Sequence, residues 1–205
     1  MDFNEIIQIC NKYNIQNYSI NSDGSIDVDG DVDIQQMKLT KLPLKFNSVS
    51  GNFYCQINKL ISLTGSPVSV GGNFNCSINN LTSLIESPLK IGGNYDCVNN
   101  KLLNLIGCTE AIAGEFYVGD ELSSTYSSDS DIEIEGDAHL YSNNEYTDYD
   151  RSPIGKKLPD KFIENIQHLK LILKYQRYFG IWNEDLTLNA ENFNDLLAEI
   201  NEGLL

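Results

Sequence analysis

Positive charge is scarce in this 205-residue sequence: 14 Lys and Arg stand against 29 Asp and Glu, a formal net charge of -15. A ligand gripped through rows of phosphates needs Lys and Arg along the contact, which argues against direct nucleic-acid binding. A basic protein surface is the better-matched partner. Histidine is limited to His139 and His168, and no His-Glu-x-x-His, Gly-x-Ser-x-Gly or phosphate-binding loop occurs. Metal-dependent, nucleophilic and nucleotide-dependent catalysis therefore lack a starting motif, and the expectation is a non-enzyme that uses no cofactor. No apolar run reaches the roughly 18 residues of a membrane span. The first residues, Met1-Asp2-Phe3-Asn4-Glu5, have neither the basic stretch nor the apolar core of a secretion signal. A cytoplasmic location is expected from this, with the five cysteines as thiols. Cys-x-x-Cys is also missing, so nothing begins a tetrahedral zinc site.

What the sequence does have is a repeat. Gly51-Asn52-Phe53-Tyr54-Cys55 returns as Gly72-Asn73-Phe74-Asn75-Cys76 and as Gly93-Asn94-Tyr95-Asp96-Cys97, 21 residues apart each time. Gly114-Glu115-Phe116-Tyr117-Val118 is a weaker copy, Gly30-Asp31-Val32-Asp33-Ile34 a degenerate first one, and Gly136-Asp137-Ala138-His139-Leu140 a last one after a 22-residue step. Other positions keep the period: Val28, Val49, Val70, Ile91, Ile112 and Ile134; Leu39, Leu60, Leu81 and Leu102; Leu42, Leu63, Leu84 and Leu105; Asn58, Asn79 and Asn100, resumed at Asn143. A unit this short encloses no core alone, but stacked units bury a continuous one. The pattern predicts a short parallel β-solenoid of about six coils, an α/β-type repeat.

Within each unit, side chains alternate across a strand, so Phe74 and Cys76 face in while Asn73 and Asn75 face out. The Asn three residues after each Cys suits a buried amide that bonds the turning backbone. Gly71-Gly72 and Gly92-Gly93 mark a turn where a side chain would crowd the chain. Pro67 and Pro88 fit an extended return segment.

The run Gly-Asn-Phe-x-Cys-Ser-x-Asn-x-Leu-Thr-Ser-Leu-x-x-Ser-Pro from Gly72 to Pro88 resembles the leucine-rich-repeat-like proteins of tailed bacteriophages and some bacteria. The stretches Tyr18 to Ile34 and Leu39 to Phe46 resemble the start of such proteins, and Glu121 stands where another Asn of the series would fall. The resemblance implies the leucine-rich-repeat type of solenoid and a viral setting, hence host cytoplasm. It implies no single activity.

Solenoid ends expose core and need covers. Residues 2–13 predict a helix capped by Asp2, with Phe3, Ile6, Ile7 and Cys10 on its inner face, followed by a hairpin of Tyr18–Asn21 and Ser25–Val28. Residues 1–29 thus form an N-terminal cap, 30–145 the solenoid, and 146–205 a linker with two helices. The first of these helices runs from Asp160 to about Phe179 with Phe162, Ile163, Ile166, Leu169, Ile172 and Leu173 inward; the second follows Asn189, with Phe193, Leu196, Leu197 and Ile200 inward. They either cap the last coil or stand apart as a hairpin. Their Lys156, Lys157, Lys161, Lys170, Lys174 and Arg177, beside Tyr175, Tyr178, Phe179 and Trp182, offer a docking or self-association face or an ordinary wet helix surface.

The outward side of the strands is the expected contact surface. It presents Asp33, Tyr54, Asn75, Asp96, Tyr117 and His139 in one row, with Asp31, Asn52, Asn73, Asn94, Glu115 and Asp137 beside it and Ile57 and Ile78 just beyond. Tyr among small polar residues is a composition of binding surfaces. The partner-binding set read here is Asp33, Asn52, Tyr54, Asn73, Asn75, Asn94, Asp96, Glu115, Tyr117 and His139, facing a host or viral protein with a basic surface. Asp27, Asp29, Asp31 and Asp33 alternate with apolar residues and read as one acidic face, as do Asp129, Asp131, Glu133, Glu135 and Asp137. Three uses are open for these rows: calcium ligation, mimicry of phosphates toward a nucleic-acid-handling enzyme, or plain solvation that blocks edge pairing. His139 has Asp137 or Asp120 as candidate partners, and the column Cys55, Cys76, Cys97 reads as core packing over a metal or redox ladder. A role as a structural component of a particle or oligomer is the remaining class. Limited proteolysis between Tyr146 and Gly155 distinguishes cap from hairpin: a cap is expected to leave no soluble, folded repeat fragment after cleavage.

Overall fold

The structure, a computed structural model, describes residues 1–127, 131–141 and 158–205. Asp2 caps helix α1 (Phe3–Lys12) through a reciprocal capping box with Glu5. An antiparallel pair follows, β1 (Tyr18–Ile20) and β2 (Ile26–Val28). From there the chain winds as a parallel β-solenoid with two short strands per coil. The front sheet stacks β3 (Val32–Asp33), β5 (Phe53–Tyr54), β7 (Phe74–Asn75), β9 (Tyr95–Asp96), β11 (Phe116–Gly119) and β13 (Ala138–Tyr141), six strands separated by five turns. The back sheet continues from β1 and β2 through β4 (Phe46–Val49), β6 (Ser69–Val70), β8 (Lys90–Ile91), β10 (Ala111–Ile112) and β12 (Glu133–Ile134). The repeat pattern reads the segment around Pro67 and Pro88 as extended; the structure makes the residues just after each proline a second sheet.

Columns of identical position fill the core. Phe53, Phe74, Tyr95 and Phe116 follow one another with ring centroids 5.6, 5.4 and 5.3 Å apart, and Phe46 from the back sheet packs on the first of them at 5.0 Å. Tyr95 is fully buried, and its hydroxyl meets the Ser87 hydroxyl at 2.8 Å, which makes a phenol acceptable in a Phe column. Cys55, Cys76 and Cys97 sit on successive rungs as buried thiols. Burial pushes their thiols far above the ordinary range, which suits packing and works against thiolate chemistry.

Two amide ladders tie the coils. The Asn79 amide donates to the carbonyls of Cys55, Cys76 and Ser77 at 3.0, 3.1 and 3.2 Å, and its oxygen accepts from Leu60 N–H at 2.9 Å. Asn58 and Asn100 repeat the arrangement one coil before and after. At the other corner, the side-chain oxygen of each coil accepts from the backbone of the next: Asp31 from Asn52, Asn52 from Asn73, Asn73 from Asn94 and Asn94 from Glu115, at 2.7, 2.8, 2.8 and 3.0 Å. This second ladder explains Gly72 and Gly93, whose φ is not positive: a Cβ there would lie 2.6 Å from Asn52 Oδ1 and 2.4 Å from Asn73 Oδ1.

Both ends differ from the sequence expectation in detail. Helix α1 buries Ile6 and Cys10, while Phe3 and Ile7 are exposed. At the far end the expected single helix is broken into α2 (Asp160–Ile163), a 3₁₀ turn (Ile166–His168) and α3 (Leu169–Tyr175). Asn165 accounts for the break: its amide donates to Lys161 O at 2.9 Å, competing with the helical backbone, and Ile163 is left exposed. After α4 (Ala190–Asn201), capped by Asn189 as expected, the helices lie on the last coil. Phe162, Phe193 and Trp182 form their aromatic core. Buried Gln176 accepts from Thr125 at 2.9 Å and from Trp182 Nε1 at 3.1 Å, joining helices to solenoid. Asn143, Asp129, Lys156, Lys157 and the linker read over 146–157 lie outside the described residues. Among the described residues no helix is long and apolar enough to cross a membrane.

Replacing Asn79 with Leu leaves buried backbone groups on two coils without their partner and is expected to cost about 3 kcal/mol or more. Gly72→Ala is expected to cost about 2–4 kcal/mol by crowding the preceding coil, and Asn80→Ala less than about 0.5 kcal/mol. Urea unfolding of the three variants checks this order.

Candidate interaction surface

Strand register places the outward row. Asp33 pairs with Tyr54, Tyr54 with Asn75, Asn75 with Asp96, Asp96 with Tyr117, and Tyr117 with His139, so the six residues form one column across the front sheet. Each strand here is only a few residues long, so an inward Phe or Tyr fixes the direction of the residue after it. Asp33 is exposed and the other five are half-buried, held by neighbours in the column.

Several of these side chains are already oriented. Asp33 accepts from the Gln35 backbone at 3.2 Å and side chain at 2.9 Å. Asp96 accepts from Val98 N–H at 3.1 Å and from the Asn75 amide at 3.2 Å. Burial pushes the Asp96 carboxyl up to about 6, against the opposing pull of Val98, Ser77 and Asn75. Tyr117 donates to Glu115 and stacks on His139 with centroids 5.0 Å apart, and Tyr141 joins them at 5.7 Å from Tyr117. The Glu115 hydrogen bond is the main reason the Tyr117 phenol is pushed up to about 12. His139 Nε2 lies 3.6 Å from Glu115 Oε2, an acidic neighbour from the preceding coil that the sequence reading did not single out.

The parallel row is differently placed. Asn52, Asn73 and Asn94 commit their amide oxygens to the next coil, and the Glu115 N–H donates the last of these bonds to Asn94. They frame the column and fix it more than they project from it. Ile57 and Ile78 hold φ of 55° and 52° at the corner after the strands. A β-branched residue is disfavoured there, and nothing in the repeat pattern announced it.

The acidic rows do not each share a face. Gly30, at φ 130°, turns the chain between β2 and β3, so Asp27 belongs to the back sheet and Asp33 to the front. Glu133 lies in the back sheet, and the chain passes Gly136 before reaching the front at β13. Alternation was legible; the corner inside it was not. Asp27 is also occupied: it accepts from Asn21, Asn47 and Ser48 at 3.0, 2.7 and 2.5 Å, which holds its carboxyl below the usual range. Among the described residues no three His, Cys, Asp or Glu side chains converge in a way that could hold a metal ion. Comparison of the chain with protein-family models, with curated proteins and with solved structures found no match.

The sequence reading passed over a second surface. Ile61, Val68, Ile85, Leu89 and Leu103 are 42–66% exposed on the side away from the front sheet. Their signal was present: apolar residues at outward positions flanking the Leu and Val columns.

Asp96 provides a pH test. Its folded pKa lies above the usual 3.8. The charged form is therefore penalised in the fold: the penalty is absent below about pH 4, grows through the window up to about 6, and is full above it. Asp96→Asn is expected to be more stable than the parent by about 1–2 kcal/mol at pH 7.5 and equal to it at pH 3.5. Chemical unfolding at the two pH values measures the difference.

Proposed function

We propose that this chain is a non-catalytic interaction module that binds a protein with a basic surface through its front sheet. The carrying observation is the in-register column Asp33, Tyr54, Asn75, Asp96, Tyr117 and His139, flanked by Asp31 and Glu115, on strands that contain no Lys or Arg. Tyr54, Tyr117 and Tyr141 supply amphipathic contact area, and the acidic groups supply charge that steers a basic partner. Because neighbours already hold several of these side chains, binding orders little that is not ordered beforehand. The mechanism is occupancy: the surface blocks or recruits its partner without altering it chemically.

The sequence resemblance to phage leucine-rich-repeat-like proteins makes a host or viral protein in the host cytoplasm the partner to look for. Phosphate mimicry is the weaker reading, because the acidic rows that motivated it turn a corner between two sheets.

The test combines Tyr54→Ala, Tyr117→Ala and Asp33→Lys in one full-length chain. Affinity capture from the producing host's lysate, read by mass spectrometry, is expected to lose its specific partner while the melting temperature stays within a few degrees. Undiminished recovery of that partner by the triple variant overturns the proposal. Capture that falls steeply with salt and is competed by DNA or RNA moves the assignment to mimicry.

A further inference from the structure

Outside the front sheet, residues 38–101 carry six lysines and one acid, Glu86. Between the Leu columns and the back sheet runs an open groove of about 1030 Å³, with Lys41, Ile61, Pro67, Val68 and Leu89 among its walls. Lys59 and Ile61 flank inward Leu60, and Lys101 and Leu103 flank inward Leu102 two coils on; Lys38 and Thr40 do the same around Leu39. Backbone bonds from Lys59 to Leu39 and from Lys101 to Leu81 stack these segments coil on coil. Leu89 N–H likewise bonds Val68 O at 2.8 Å, placing Val68 and Leu89 on adjacent rungs. Ile61, Val68 and Leu89 thus form an apolar patch on the groove, with Lys41 in its wall and Lys59 beside Ile61, while the rungs on either side of Ile61 carry Thr40 and Thr82. Of the acids at the groove, Glu86 turns its carboxylate back to accept from Gly65 N–H at 3.1 Å, and Lys45 is matched by Asp23 at 2.6 Å. Lys38, Lys41, Lys59 and Lys101 form no ion pair within the chain among the described residues.

Isolated exposed apolar side chains are ordinary; a contiguous set in a concave groove is not. We propose that this groove binds an amphipathic helix of another protein, its apolar stripe on Ile61, Val68 and Leu89 and its acidic flank on Lys41 in the wall and Lys59 beside it. Charge selects the occupant, since Lys41 and Lys59 border the patch in a molecule of net charge -15. Pitch fits as well: a helix rises about 5.4 Å per turn and coils repeat about every 4.8 Å. Side chains on successive turns therefore fall near successive rungs. A planar bilayer does not enter a concave groove.

The probe is a lactam-bridged helix of about four turns with leucines on one face and glutamates along one flank, labelled for fluorescence anisotropy with the full chain. Saturable binding is expected, reduced roughly tenfold or more by Ile61→Asp with Leu89→Asp and by Lys41→Glu with Lys59→Glu, and unchanged by Tyr54→Ala on the front sheet. Lysine in place of glutamate in the probe is expected to weaken binding comparably. No saturable binding, equal binding of the lysine probe, or indifference to Ile61→Asp overturns the proposal. So does sedimentation with phosphatidylserine vesicles, which makes the face a membrane contact, or a dimer in light scattering that Ile61→Asp dissolves.

Discussion

The central coils of this molecule depend on a buried amide that serves two coils at once. The strands are short, and at the corner after each front strand the N–H of Leu39, Leu60 and Leu81 and the carbonyls of Cys55 and Cys76 meet a side-chain amide. Asn58, Asn79 and Asn100 fill that role by donating to carbonyls of their own coil and the coil before, and by accepting an N–H from it. Unpaired, those groups would each cost about 1–3 kcal/mol. Glu121 occupies the next rung and accepts from Asn100 N–H at 3.2 Å, but a carboxyl lacks the paired amide donors that the asparagines use. The step to the following repeat then lengthens from 21 to 22 residues, and the regular pattern stops.

That constraint is also what makes the surfaces regular. Once inward positions are locked, a residue two places along faces the same side in every coil, and identical chemistry accumulates in columns. Acids and tyrosines collect on the front sheet; the lysines of residues 30–127 all fall outside it. The strong negative charge of the chain therefore hides a division into two unlike sides.

Much of this was legible in the sequence because period is a global signal. The columns Phe53–Phe74–Tyr95–Phe116, Cys55–Cys76–Cys97 and Val49–Val70–Ile91 follow from spacing alone, as does the outward row from Asp33 to His139. Local geometry was harder to read. Two-residue strands such as Ser69–Val70 are too short for alternation to reveal them, so the back sheet showed only as extended chain. Gly30 hides a corner inside a flawless alternation of Asp and apolar residues. The helical pattern from Asp160 onward is continuous, yet one amide at Asn165 diverts the backbone. The exposed side chains beside the lysines were overlooked because Ile61 and Leu103 look like core residues until their direction is known.

The ladders have a further property. In one ladder the amide oxygen of each unit meets an N–H of the unit before, at 2.9 Å from Asn79 to Leu60; in the other it meets that of the unit after, at 2.8 Å from Asn52 to Asn73 and again from Asn73 to Asn94. A duplicated or deleted unit in this central stretch would find the same donors and acceptors waiting on either side. Gain or loss of one such unit can therefore lengthen or shorten the molecule, moving the two ends apart or together, with the ladder bonds re-formed across the junction.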